Sequence, residues 1–270
     1  MNSYQTTSKM SMRDALQERV GKPHLSYSSL KYALGDMKLW EMYMRGELKK
    51  ESPALHFGSL YDMLLFEPEK ASSTYVILSH DKILGQCSMK TQSSKKPQMT
   101  SEYKAIKESI EQEIVDDNKI ACSDEDWKQA NEMIDRLRES GLYASRFGGG
   151  KFQVEFNVDL DGIPLKGFLD CLKDDFIVDS KSSRAIDKFR YDVNSWSYDI
   201  QAYIYTKVFD ISDFYWVVQE KTYPYYPADV KCSEETLFRG EMKFHQALEN
   251  IKNYLDGKKE TSHHYAEFVV

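Results

Sequence analysis

No stretch of this chain stays apolar for the roughly 18 residues that a membrane span requires, so no membrane partner is expected. The opening MNSYQTTSKMSMRDALQERV has no apolar centre and no small-residue cleavage site, which argues against a secretory signal. The four cysteines, Cys87, Cys122, Cys171 and Cys232, never fall in a CxxC spacing. Zinc and iron–sulfur sites need clustered ligands, so no iron–sulfur cluster is expected. Scattered free thiols fit a reducing, cytoplasmic compartment. Internal repeats and long low-complexity linkers are missing as well. Positive charge is in deficit: 36 Lys and Arg against 43 Asp and Glu give a net charge of −7. That balance disfavours a protein that coats nucleic acid by bulk charge, while leaving room for a local basic channel.

What is present is ordinary globular material. The 270 residues suit one large domain, and a hydrophobic fraction of 41% with 18 tyrosines supports a sizeable core. Residues 1–147 read as mainly helical. Ser26 is placed to cap a helix in LSYSSLKYAL, and DMKLWEMYMRGEL continues as a second. SPALHFGSLYDMLLFEPE forms another, with Pro53 in its first turn and Pro68 just past its end. Residues 79–100 are polar and weakly periodic and read as a mobile loop before a helix over 101–114. DEDWKQANEMIDRLRESGL follows as a helix capped near Asp124 or Ser123. From residue 148 the period changes to that of strands, after a Gly148–Gly150 run read as a flexible hinge. FQVEFNVDL, LKGFLDCL and FIVDSKSS form a meander, SWSYDIQAYIYTKVF a helix, DFYWVVQEKTYPYY a late strand, and Glu234 to Leu255 the last helix. Residues 148–270 thus form an α/β core behind a helical elaboration.

Chemistry concentrates in the meander. Asp170 lies near the end of its second strand. Asp179 and Lys181 stand two apart on the third, so they project from one face. Glu155 lies on the first strand and is expected as a third metal ligand or a base partner. Carboxylate oxygens at one sheet edge, joined by the carbonyl of Ser180, suit a hard cation such as Mg2+, with Mn2+ an alternative. A lysine beside them can polarise water and offset developing phosphate charge, as phosphodiester hydrolysis requires.

With these residues in place, GFLDCLKDDFIVDSKSS resembles the core motif of the PD-(D/E)xK nuclease superfamily. The QAYIY run over 201–205 is similar to the Q-x-x-x-Y motif of its exonuclease branch. LSYSSLKYAL and ALHFGSLYDMLLFEPE further resemble the RecE-type exonucleases (exonuclease VIII), so the likeness runs from about Leu25 to Tyr265. It implies a restriction-endonuclease-like α/β fold and a Mg2+-dependent exodeoxyribonuclease that degrades linear duplex DNA from the 5′ end. It also implies a phage recombination role in the host cytoplasm, beside a single-strand annealing protein, and a homo-oligomeric ring around the DNA. On this likeness Gln201 orients a metal-bound water or ligand, and Tyr205 contacts the substrate phosphate. One position departs: where the family has a histidine, this chain has Asp62, itself able to ligate a hard metal. Lys90, Lys95 and Lys96 in the loop are candidate grips for DNA phosphates.

Other features read as structural. Tyr203, Trp40 and Trp196 are expected to pack, with a place near the substrate the alternative for Trp196 because it precedes the Gln201 helix, and His263 and His264 are expected to be solvated. Two alternatives stay open: a structure-specific endonuclease, and an inactive DNA-end-binding module to which Asp62 lends weight.

Overall fold

A computed structural model gives the fold and describes residues 10–48 and 52–258. His263 and His264 lie outside the described residues. The helices begin where polar caps precede apolar runs. Ser29 N–H donates to Ser26 Oγ while Ser26 N–H donates to Ser29 Oγ, which starts the helix Tyr27–Ala33. Ser52 caps Pro53–Phe66, where Pro53 occupies a first-turn position that needs no N–H partner. Ser123 caps Asp124–Glu139, and Ser233 caps Glu234–Leu255.

Two sheets form. A small one pairs β1 (Tyr75–Leu78) in parallel with β2 (Ile120–Ser123). The large one has the order β3 (Lys151–Leu160), β4 (Ile163–Leu172), β5 (Phe176–Ser183), β6 (Asp213–Glu220), β7 (Pro227–Lys231). Its β3–β4, β4–β5 and β6–β7 pairs are antiparallel. β5 and β6 run parallel, which demands a crossover, and the helices Phe189–Ser195 and Tyr198–Phe209 supply it. Side-chain alternation divides the core between the two faces. Ile177, Phe214, Trp216 and Val218 enter one cluster with Leu16, Leu30, Trp40 and the Tyr198 and Glu234 helices. Val178 and Val217 enter another, covered by the Pro53 and Asp124 helices. This is the mixed α/β architecture expected of the restriction-endonuclease-like class.

The segment 79–100 is a correction. Rather than a loop it carries the short helices His80–Leu84 and Met89–Gln92 and the 3-10 turn Pro97–Met99. Leu78, Ile83, Cys87 and Tyr103 bury themselves there in a third apolar cluster. The Glu102 carboxylate accepts from Ser88 N–H, Ser88 Oγ and Thr91 Oγ1, which pins the turns together. Elements of three to five residues are too short to show a period in sequence. The glycine run is not an open hinge either, because a Cβ on Gly150 would stand 2.3 Å from Cys171 Sγ.

The Tyr198 and Glu234 helices cross closely. A Cβ at Gly240 would lie 2.1 Å from the Asp199 carbonyl oxygen and 3.1 Å from Tyr203 Cβ. Arg239 and Lys243 flank that crossing and pair with the buried Asp199 carboxylate at 2.7 and 2.9 Å. Gly240→Ala is therefore expected to destabilise the protein by about 1–3 kcal/mol or more, read as a lowered thermal midpoint. An unchanged midpoint would mean that the helices can separate there at no cost.

Candidate active site

The site arises where two strands part. β4 and β5 pair only through Cys171–Val178 and Leu172–Ile177. Asp170 and Asp179 would be the next partners, and the ladder stops before them. Asp170 Oδ2 instead accepts from the Ser180 N–H at 2.8 Å, so a carboxylate occupies the place of a ladder carbonyl. β5 keeps its other edge on β6, with Asp179 opposite Trp216 and Lys181 opposite Val218. Rigid backing on one side and an open fork on the other hold these side chains at the sheet edge.

Asp179 is buried, 1% exposed, and its charge is held from two sides. Lys181 Nζ forms an ion pair with Asp179 Oδ2, and Gln201 Nε2 donates to Asp179 Oδ1 at 2.8 Å. Lys181 also donates to the Ser180 carbonyl at 3.3 Å and lies 5.0 Å from the centre of the Tyr198 ring. Gln201 comes from the Tyr198 helix, one turn before Tyr205, so both share a face. Tyr205 Oη donates to the Phe168 carbonyl at 2.7 Å and lies 3.3 Å from Gln201 Nε2.

Negative charge is in excess here. Burial, then the charge of Asp179, push Asp170 up to about 7, against relief from Lys181 and the Ser180 N–H. Asp62, on the Pro53–Phe66 helix, is half-buried. Burial and the Asp170 charge raise its pKa well above the usual carboxylate range. Burial also raises Asp179, opposed by Lys181 and Gln201. Burial works against the Lys181 ammonium, but Asp179 and Asp170 outweigh it and hold the proton more firmly than on a free lysine.

The fork thus gathers Asp170, Asp179, Ser180, Lys181 and Gln201, and brings Asp62 near enough for its charge to act on the others. Glu155 does not join them. It faces solvent, opposite Phe168, and pairs with Lys166 at 2.8 Å. The β3 residue opposite Asp170 is Gln153, whose polar side chain helps to offset the rise in the Asp170 pKa. Gln153 has a φ of +49° that interrupts the β3–β4 ladder for one pair, while the register continues unshifted on either side and sets Gln153 opposite Asp170. Tyr205 is also corrected. It is 5% exposed with its hydroxyl committed to Phe168, so it braces Gln201 and β4 rather than meeting a phosphate. Lys90, Lys95 and Lys96 are exposed on the segment that builds the third cluster, not on the elements that form the fork.

The donor chemistry at the fork fits a hard divalent cation. Three carboxylates face one ammonium, and all available donors are oxygen. The buried Gln201 Oε1 has no hydrogen-bond partner among the described residues. There, too, no three His, Cys, Asp or Glu side chains close around one point, so the carboxylates form an open edge rather than a finished cage. Two cavities of about 480 and 600 Å3 lie elsewhere, beside Tyr203 and Phe238 and beside His80 and Tyr103.

A five-stranded mixed sheet with Asp170, Asp179 and Lys181 at its fork defines the PD-(D/E)xK class of proteins. The chain belongs to the family described as PDDEXK-like domain of unknown function (DUF3799), whose model matches residues 26–267. A crystal structure from Eubacterium rectale, of a protein provisionally named an exonuclease, matches with a TM-score of 0.56 and 17% identity. The match covers 96% of this chain and 88% of that one, and likeness at this identity speaks for the fold alone. No curated protein matches the chain.

Proposed function

We propose that this protein is a divalent-metal-dependent exodeoxyribonuclease that degrades linear double-stranded DNA from the 5′ end, with Mg2+ as its ion. The observation that carries the reading is the fork itself, where Asp170, Asp179 and Lys181 meet on a PD-(D/E)xK sheet with Gln201 bonded to Asp179. Asp170 and Asp179, with the Ser180 carbonyl and Asp62, would hold the ion. When bound, it supplies Lewis-acid stabilisation to the phosphate and lowers the pKa of water.

The chain's own residues do the remainder. Lys181, kept protonated by Asp179, presents a fixed positive charge where the phosphorane-like charge develops. Gln201 fixes the Asp179 carboxylate through one amide hydrogen and keeps its own Oε1 for a water proton. Tyr205 holds Gln201 against β4, so the pair retains its geometry. Exonuclease action, 5′ polarity and a recombination role beside an annealing protein are supported by the likeness of residues 25–265 to RecE-type enzymes. A homo-oligomeric ring belongs to the same reading.

Release of acid-soluble nucleotides from linear duplex DNA, and none from covalently closed circles, is expected with Mg2+ and is expected to stop with a chelator. Cleavage of closed circles would assign an endonuclease instead. No release from either substrate, with Mg2+ or Mn2+, would leave only DNA binding at this fork.

A further inference from the structure

Between β5 and the Gln201 helix the chain turns the indole of Trp196 outward. Trp196 is 50% exposed, whereas Trp40 and Trp216 are fully enclosed. This exposure does not reflect a loose backbone. Trp196 N–H donates to the Asp192 carbonyl at 2.8 Å, and the Trp196 carbonyl accepts from Tyr27 Oη at 2.5 Å. The next residue, Ser197, is buried in the left-handed region at φ +58°, which is costly for a side-chain-bearing residue. That reversal sends Tyr198 inward over Lys181 and leaves Trp196 outward, two residues away. Tyr27 ties the two together, with its ring 6.5 Å from that of Tyr198 and its hydroxyl on Trp196. Lys31 Nζ lies 4.6 Å from the Trp196 ring centre and adds a positive charge to the same spot.

A pinned, half-exposed indole with a cation against it, one short step from the Lys181 ammonium, has the two elements that single-strand binding uses: a π-face for bases and positive charge for the backbone. We propose that Trp196, with Lys31, is a stacking platform for a nucleobase of the DNA strand entering the fork. This rests on the nuclease reading above. Trp196 then acts as a substrate-binding residue that positions the strand, and Lys31 contributes to the adjoining phosphate.

The test measures binding of the full chain to a short oligodeoxythymidylate and to a blunt duplex, in EDTA so that turnover cannot intervene. Trp196→Ala is expected to weaken binding of the single strand about ten- to a hundred-fold, and Trp196→Phe to restore most of it. The salt dependence of binding should keep its slope in Trp196→Ala, since an indole displaces no counterions. In Lys31→Gln the slope should fall by about 0.7. Wild-type tryptophan fluorescence should quench on the oligonucleotide, and that quench should vanish in Trp196→Phe. A larger loss on the blunt duplex than on the single strand would assign the platform to the terminal base pair. Unchanged affinity and quench in the variants, with hydrolysis by the wild type intact, overturns the platform and leaves the nuclease reading standing. A changed oligomeric mass with unchanged DNA affinity overturns it in favour of a contact between copies of this chain. A wild type that binds neither probe overturns the platform, while nucleotide release with Mg2+ decides the nuclease reading separately.

Discussion

Asp179→Asn and Lys181→Ala are each expected to slow nucleotide release from linear duplex DNA by about a thousand-fold or more. The effect follows from how the pair is held. Asp179 offers one oxygen to Lys181 and the other to Gln201, and no solvent reaches it to substitute for either. The asparagine keeps volume and the Gln201 contact but removes the charge that any cation at this fork would need. The alanine at 181 removes the only ammonium in contact with Asp179 among the described residues. DNA affinity measured in the same variants should move only a few-fold, because neither group is exposed enough to bind backbone by itself. Rates equal to wild type in both variants would sink the assignment of the fork as the hydrolytic site.

Stability separates this from a merely structural ion pair. Removing Lys181 leaves a buried carboxylate uncompensated, and breaking such pairs typically costs about 3–5 kcal/mol unless the group takes up a proton. Lys181→Met should therefore unfold more easily than wild type, and more so as pH rises. Adding Asp179→Asn to Lys181→Met should recover much of the loss, a coupling that a double-mutant cycle reads directly. The recovered variant should be as inactive as either parent. A structural pair would show the recovery without the loss of hydrolysis.

Much of this was open to reading in the chain. The period-two runs from residue 151 to 183 gave three strands of the sheet, the cap at Ser26 is where the sequence put it, and of the two cap positions open at the later helix Ser123 is the one used. Asp170, Asp179 and Lys181 meet because a short turn joins β4 to β5 and the strand period sets Asp179 and Lys181 on one face. The misses share a physical cause, which is that they depend on backbone departures or distant partners. Glu155 has the right chemistry, but the hairpin register sets Gln153, two residues earlier, opposite Asp170 and leaves Glu155 opposite Phe168, and the sequence does not fix a register to the residue. β7 is five residues long and starts at Pro227, and β1 finds β2 across a 45-residue offset in register. The fate of the Tyr205 hydroxyl depended on a carbonyl 37 residues away. Trp196 read first as a packing residue, with a place near the substrate the alternative, and the left-handed Ser197 is what turns it outward.

Asp170→Asn should make the metal-free protein more stable at neutral and alkaline pH while abolishing hydrolysis. Asp170 titrates near 7, raised from an ordinary 3.8 by burial and by the charge of Asp179. Between those values the folded chain holds a proton that the unfolded chain has released. Folding stability from this group is therefore fully present below about pH 4 and is lost as pH rises towards 7, by an amount on the order of a few kcal/mol. Asparagine cannot ionise, and its Oδ can still accept from the Ser180 N–H, so it keeps the neutral, better-tolerated form at every pH. Melting curves in a chelator at pH 8 should place Asp170→Asn several degrees above wild type, with the difference shrinking towards pH 4. Millimolar Mg2+ should reverse the order. Binding to the wild type stabilises it by mass action, whereas the variant has lost a carboxylate and gains little. A variant less stable than wild type in the chelator would show that Asp170 is held by favourable contacts rather than kept for an ion. A variant as responsive to Mg2+ as wild type would move the ion away from this fork.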